Sequence, residues 1–89
     1  MYYVYFLYLI NGTIYKGTTE RLNERYSEHC LGKVKSTAKC RPLRLIGYEV
    51  YLLKSDALRR ERFLKTTEGR RLLRCQYRDI IDKCKAVKE

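Results

Sequence analysis

The four cysteines contain no Cys-x-x-Cys pair and the chain has a single histidine, so a zinc centre has too few ligands at suitable spacing. Cys30, Cys40, Cys75 and Cys84 read as free thiols in a reducing cytosol, and a cytoplasmic location is expected. No apolar run approaches the ~18 residues that a membrane span requires, and no membrane partner is expected. Met1 to Ile10 is apolar but short, without a basic leader or a small-residue cleavage site; it reads as a strand, not a signal peptide. Acidic residues are scarce: ten Asp and Glu stand against twenty Lys and Arg, a formal charge of +10. None of the ten lies between Leu31 and Arg44, a stretch that holds Lys33, Lys35, Lys39, Arg41 and the only proline. No repeat, low-complexity tract or linker divides the 89 residues, which are expected to form one domain, 1–89, as a monomer or weak dimer.

With 45% hydrophobic residues in periodic segments, the chain has the makings of a globular fold with a modest core. The positive charge favours a polyanion, because each Lys or Arg placed on a phosphate releases condensed counterions. A merely solvated basic surface is the alternative.

Residues 2–9 are apolar on both alternating faces, the pattern of a central strand covered on both sides. Asn11-Gly12 marks a hairpin, and Thr13 to Gly17 forms the returning strand. A two-residue loop would pair Tyr8 with Tyr15 and send Tyr5 to the other face. A three-residue loop, Ile10-Asn11-Gly12 with Gly12 left-handed, pairs Leu7 with Tyr15 and puts Tyr5 and Tyr15 on one face. The three-residue loop is expected. Thr18 or Thr19 should cap a helix over about 20–30, with Glu20 in its first turn. A basic loop follows, then a third strand over 44–53 with Ile46, Tyr48, Val50 and Leu52 on one face. Ser55 should cap a second helix over about 56–65, Thr66 to Gly69 should break it, and a last helix should run over about 70–84. The order β-β-α-β-α-α is an α+β fold, a compact sheet with helices packed on it.

Several side chains suit phosphodiester chemistry on this cationic frame. On its helix Glu61 shares a stripe with Ala57 and Leu64, and an unpaired carboxylate among inward-facing residues costs several kcal/mol, of order, unless compensated. Its partner is either a base, Arg60 or Arg25, or a divalent metal; Mg²⁺ keeps most of its waters and needs only one or two carboxylates. Arg25 and His29, four apart on the first helix, are either solvated or aimed at a phosphate, for which arginine offers a bidentate fork. Tyr5 and Tyr15 are two of nine tyrosines, most of which must be core. A phenol acts as a base only with cations or a metal-bound water nearby. Gly17 has a backbone role, a turn or a close approach. Lys33, Lys35, Lys39, Arg41, Arg59, Arg62, Arg70, Arg71, Arg74 and Arg78 form either a duplex-tracking surface or a soluble cationic face, and Lys16, Lys33, Lys35, Lys39, Arg41 and Arg59 are the expected nucleic-acid contacts.

Tyr3-Val4-Tyr5 and Tyr15-Lys16-Gly17, with Leu22, Arg25, His29, then Arg59-Arg60-Glu61 and Leu64-Lys65, resemble the motifs of the GIY-YIG nucleases in order and separation. The likeness covers nearly the whole chain and is greatest to small standalone members similar to the incision domain of the bacterial excision-repair nuclease. It implies a three-stranded antiparallel sheet, first strand central, flanked by helices, and DNA cleavage with Mg²⁺ or Mn²⁺. It implies Glu61 as metal ligand, Tyr15 as base or orienter of the attacking water with Tyr5 in support, Arg25 on the pentacoordinate phosphate, and His29 nearby, all converging on one cationic pocket. Tyr3 and Val4 replace the glycine and isoleucine of the first motif. Lys16 replaces the middle apolar residue of the second, adding a cation near the site. Thr18 stands where some relatives have a lysine, and no asparagine follows Asn23. A catalytically inactive nucleic-acid-binding module of the same fold is the competing reading, and an RNA-associated basic protein a third.

Overall fold

The computed structural model describes residues 1–86. Strand β1 (Tyr2–Tyr8) lies between β2 (Ile14–Thr19) and β3 (Arg44–Tyr51) in an antiparallel sheet of order β2-β1-β3. Helices α1 (Leu22–Cys30), α2 (Lys54–Leu64), α3 (Thr67–Gln76) and α4 (Arg78–Ala86) pack around it. The expected α+β architecture is found. β1 is central because its side chains are apolar on both faces: Val4 through Leu9 are all buried. One face carries Val4, Phe6 and Tyr8 with Ala57, Leu64, Leu73 and Ile81 from the three later helices. The other carries Tyr5, Leu7 and Leu9 under Tyr15, Leu22, Tyr26, Leu43 and Leu45.

The three-residue hairpin loop is present. Leu9 N–H donates to Thr13 O and Gly12 N–H to Leu9 O, both at 2.9 Å, with Gly12 at φ 88°. Asn11 Oδ1 accepts from the Thr13 amide and hydroxyl at 3.1 and 2.7 Å, which stiffens the turn. Leu7 therefore pairs with Tyr15 and Tyr5 with Gly17.

Four element details differ from the sequence reading. In β3 the partner of Phe6 is Gly47 but that of Leu7 is Leu45, so Ile46 is the extra residue of a bulge. Ile46 thus joins the Phe6 face instead of sharing one with Tyr48 and Val50, and the strand ends at Tyr51, leaving Leu52 exposed beyond it. α1 starts at Leu22 with Arg21 at the cap, because Thr19 Oγ1 is already taken by the Arg21 amide (3.1 Å) in the turn before it. α2 begins at Lys54 with Leu53 as cap, so Ser55 lies inside it. The last helix is two. Thr66 caps α3, accepting from Gly69 N–H at 3.1 Å, and Tyr77 divides α3 from α4 with its ring edge-to-face on Phe6 at 5.4 Å.

Candidate active site

Tyr5 projects from the middle of β1 on the α1 side and is 1% exposed. Gly17 stands opposite it on β2, and a Cβ there would lie 2.5 Å from both Cζ and the hydroxyl of Tyr5. The missing side chain lets the phenol lie flat across the edge strand and reach α1. There its hydroxyl is 2.9 Å from His29 Nε2 and accepts from Arg25 Nε at 3.4 Å. His29, fully buried, places Nδ1 2.8 Å from Thr37 Oγ1, and the Thr37 hydroxyl donates to Val34 O at 3.5 Å.

These contacts fix the direction of the chain of hydrogen bonds. Arginine only donates, and the Thr37 proton is directed at a carbonyl. A neutral His29 therefore donates from Nδ1 to Thr37 and accepts the Tyr5 proton at Nε2. Burial holds the imidazole below its usual 6.5 and the Arg25 charge adds to this, outweighing Glu28. Burial also raises the Tyr5 phenol above 10, against the pull of the Arg25 hydrogen bond. Tyr5 is thus held protonated. Tyr15 is only half-buried; its ring is 6.2 Å from that of Tyr5 and edge-to-face with His29 at 5.1 Å.

Glu61 approaches from the other side of the sheet. Its neighbours on the α2 stripe, Ala57 and Leu64, are fully buried, while its own side chain is 18% exposed. One carboxylate oxygen accepts from the Thr18 hydroxyl and the other from Lys65 Nζ at 2.7 Å. The compensating base is therefore Lys65, one helical turn along, and not Arg60 or Arg25. Arg60 makes a two-pronged contact with Glu49 at 3.0 and 3.1 Å, and Arg25 pairs with Glu28 at 3.0 Å.

The two halves meet around β2, whose outer edge is unpaired. Thr18, the residue holding Glu61, lines a cleft of about 530 Å³ together with Thr19, Glu20, Arg21, Glu24, Arg25 and Glu28. The expected cationic pocket is corrected here: three glutamates face two arginines, paired as Arg21 with Glu24 (3.4 Å) and Arg25 with Glu28. Among the described residues no group of three or more His, Cys, Asp or Glu is gathered for a metal. Of the expected site residues only Arg25 lines this cleft; Glu61 reaches it through Thr18. A single carboxylate beside a hydroxyl would still suit Mg²⁺ or Mn²⁺, which retain several waters, and Lys65 is the cation that such an ion would displace.

The surface residues divide. Lys33, Lys35 and Lys39 are exposed on the loop after α1. Arg41 is spent on that loop, donating to Ala38 O at 2.9 Å and Cys30 O at 3.3 Å. Arg59 is paired with Asp56 at 2.8 Å. Lys16 projects from the Phe6 face, away from Tyr5, toward Arg70 and Arg74. Thr37 and the Thr18 contact to Glu61 are the functional neighbours that sequence reasoning missed. Nothing in the local pattern singles out one threonine of a polar loop, and Thr18 was read only as a cap or a substitution.

A family model described as the GIY-YIG catalytic domain matches residues 1–74. UPF0213 proteins of Staphylococcus aureus strains Mu3 and N315 are each 35% identical over 74 residues, covering 82% of this chain and 90% of theirs. The solution NMR structure of the UPF0213 protein BH0048 from Bacillus halodurans superimposes with a TM-score of 0.53 at 31% identity, covering 82% of both chains.

Proposed function

The chain belongs to the GIY-YIG family, and from that premise we propose that it is a divalent-metal-dependent endonuclease hydrolysing DNA phosphodiester bonds. The observation that supports this most is the joining of Arg25, Tyr5, His29 and Thr37 in one directed hydrogen-bond chain, whose Arg25 end lines a cleft together with Thr18, the residue that holds Glu61.

Each side chain then has a task. Arg25, tied to Tyr5 and Glu28 but still lining the cleft, binds the scissile phosphate and stabilises its growing charge. Tyr5 does not act as a base, because it is buried and kept protonated; it positions Arg25. His29 and Thr37 position Tyr5 in turn. Tyr15, half-buried beside them, orients the attacking water through its hydroxyl. Glu61 would hold the ion, which when bound would supply charge neutralisation at the phosphate and lower the pKa of water. Thr18, which lines the cleft, anchors that carboxylate to β2.

Nicking of supercoiled plasmid tests the reading. Mg²⁺ or Mn²⁺ should support it, EDTA should abolish it, and Glu61→Ala should abolish it while leaving DNA affinity within about twofold. Arg25→Ala should lower turnover by roughly a hundredfold or more, in line with loss of one transition-state donor. Full activity of Glu61→Ala rules out its role as metal ligand. The engagement of both Glu61 oxygens by Thr18 and Lys65 favours the inactive binding module as second reading. That reading prevails if the wild-type protein binds DNA but never cuts it with either ion.

A further inference from the structure

We propose that Lys16, Arg70 and Arg74 form a pocket for a backbone phosphate of a nucleic-acid strand, on the sheet face opposite Tyr5. The three line one concavity of about 370 Å³ with Thr13, Ile14 and Leu73, and no carboxylate is among its walls. Position 16 is where the resemblance leads one to expect an apolar residue. Here it pairs across the sheet with Phe6 and is half-buried. A lysine stem fills the apolar place while its ammonium meets the guanidinium groups of α3. Burial, then the charges of Arg70, Arg74 and Lys65, lower its pKa, so the cations repel without an internal counter-charge. Arg70 and Arg74 are also one turn apart on α3, a spacing at which like charges destabilise a helix. Arg74 is steadied by the carbonyl of Gly12 in the hairpin turn, which fixes its guanidinium over the pocket. Such an arrangement gains most from a bound anion, and arginine suits phosphate in particular.

Its position suggests which phosphate. Lys16 and Thr18 are two apart on β2 and face the same way, about 7 Å along the strand. Successive phosphates of one duplex strand rise about 3.4 Å, so about two steps span that distance. A strand with its scissile phosphate at the cleft and running over the edge of β2 would thus bring a nearby phosphate to the pocket. This placement, though not the pocket's affinity for phosphate, rests on the nuclease reading.

Two measurements in EDTA test it, with Lys16→Ile and Arg70→Gln/Arg74→Gln against wild type and a Lys54→Gln control that matches the charge of Lys16→Ile. Inorganic pyrophosphate at fixed ionic strength should raise the unfolding midpoint of wild type and control but not of the pocket variants. For a single-stranded oligonucleotide, the slope of log affinity against log salt should shrink by about 0.7 in Lys16→Ile, roughly a threefold smaller loss between 50 and 200 mM. Equal pyrophosphate stabilisation in wild type and both pocket variants overturns the pocket. Loss of that stabilisation with an unchanged oligonucleotide slope overturns the nucleic-acid assignment and leaves a site for free phosphates. Wild-type protein that never cuts, yet loses both effects on substitution at Lys16, overturns the nuclease reading and not the pocket.

Discussion

At position 17 any side chain would strike the phenol of Tyr5, and the damage would spread along everything that phenol holds. Gly17→Ala should therefore cost about 1–3 kcal/mol in urea unfolding, the usual penalty of overpacking, and reduce nicking as Arg25 loses its support. His29 sets a pH limit on the same cluster. Its folded pKa lies below the ordinary 6.5, so the folded state prefers the neutral imidazole. The stability it contributes is complete above about pH 6.5 and is lost as pH falls from there through the lower folded value. The sign follows because the unfolded chain binds the proton more readily. Urea midpoints should drop between pH 7.5 and 5, and His29→Gln should flatten that drop; an equal drop in both proteins removes His29 as its cause.

Among the elements, the hairpin was legible from Asn-Gly, but turn chemistry allowed a two-residue or a three-residue loop, and only the requirement that Tyr5 and Tyr15 share one face selected the register found. The ends of the helices were not. Three threonines in the sequence, Thr18, Thr19 and Thr66, have the chemistry of a cap. Only Thr66 uses it for a helix, since Thr18 is turned to Glu61 and Thr19 to the preceding turn. Thr66→Ala should cost about 1 kcal/mol. Gly69→Ala should cost more, because its methyl group would meet the Phe63 carbonyl where α2 and α3 approach each other. Thermal or urea unfolding of the two variants checks the order; a smaller loss for Gly69→Ala would mean that α3 can shift away from α2. The division of α3 from α4 left no breaker in the sequence: Tyr77 ends the helix because its ring is wanted against Phe6 and Gly47.

For the molecule as a whole, the charge and the cleft do not coincide. The cleft is nearly balanced, while cations with no carboxylate partner among the described residues lie on the loop of Lys33, Lys35 and Lys39 and in the Lys16 pocket. DNA affinity should therefore depend on flanking surfaces and turnover on the cleft. If about six phosphates are contacted, affinity should fall roughly a thousandfold between 50 and 200 mM salt. Fluorescence anisotropy with a labelled duplex measures this, and a fall of only tenfold would confine contact to the pocket and the scissile phosphate.

By itself the sequence determined the central strand, the place of the hairpin and the order of elements as far as the second helix, because these follow from local periodicity and turn chemistry. The spacing of its motifs also set Tyr5, Tyr15, Arg25, His29 and Glu61 apart as the candidate site residues. The partners of those groups were decided only in three dimensions. Which base compensates Glu61, that Thr37 orients His29, and that Lys16 turns away from the tyrosines depend on which faces of the sheet meet which helices. Hydrogen bonds and ion pairs act over a few ångströms, and residues that close in space can be tens of positions apart along the chain.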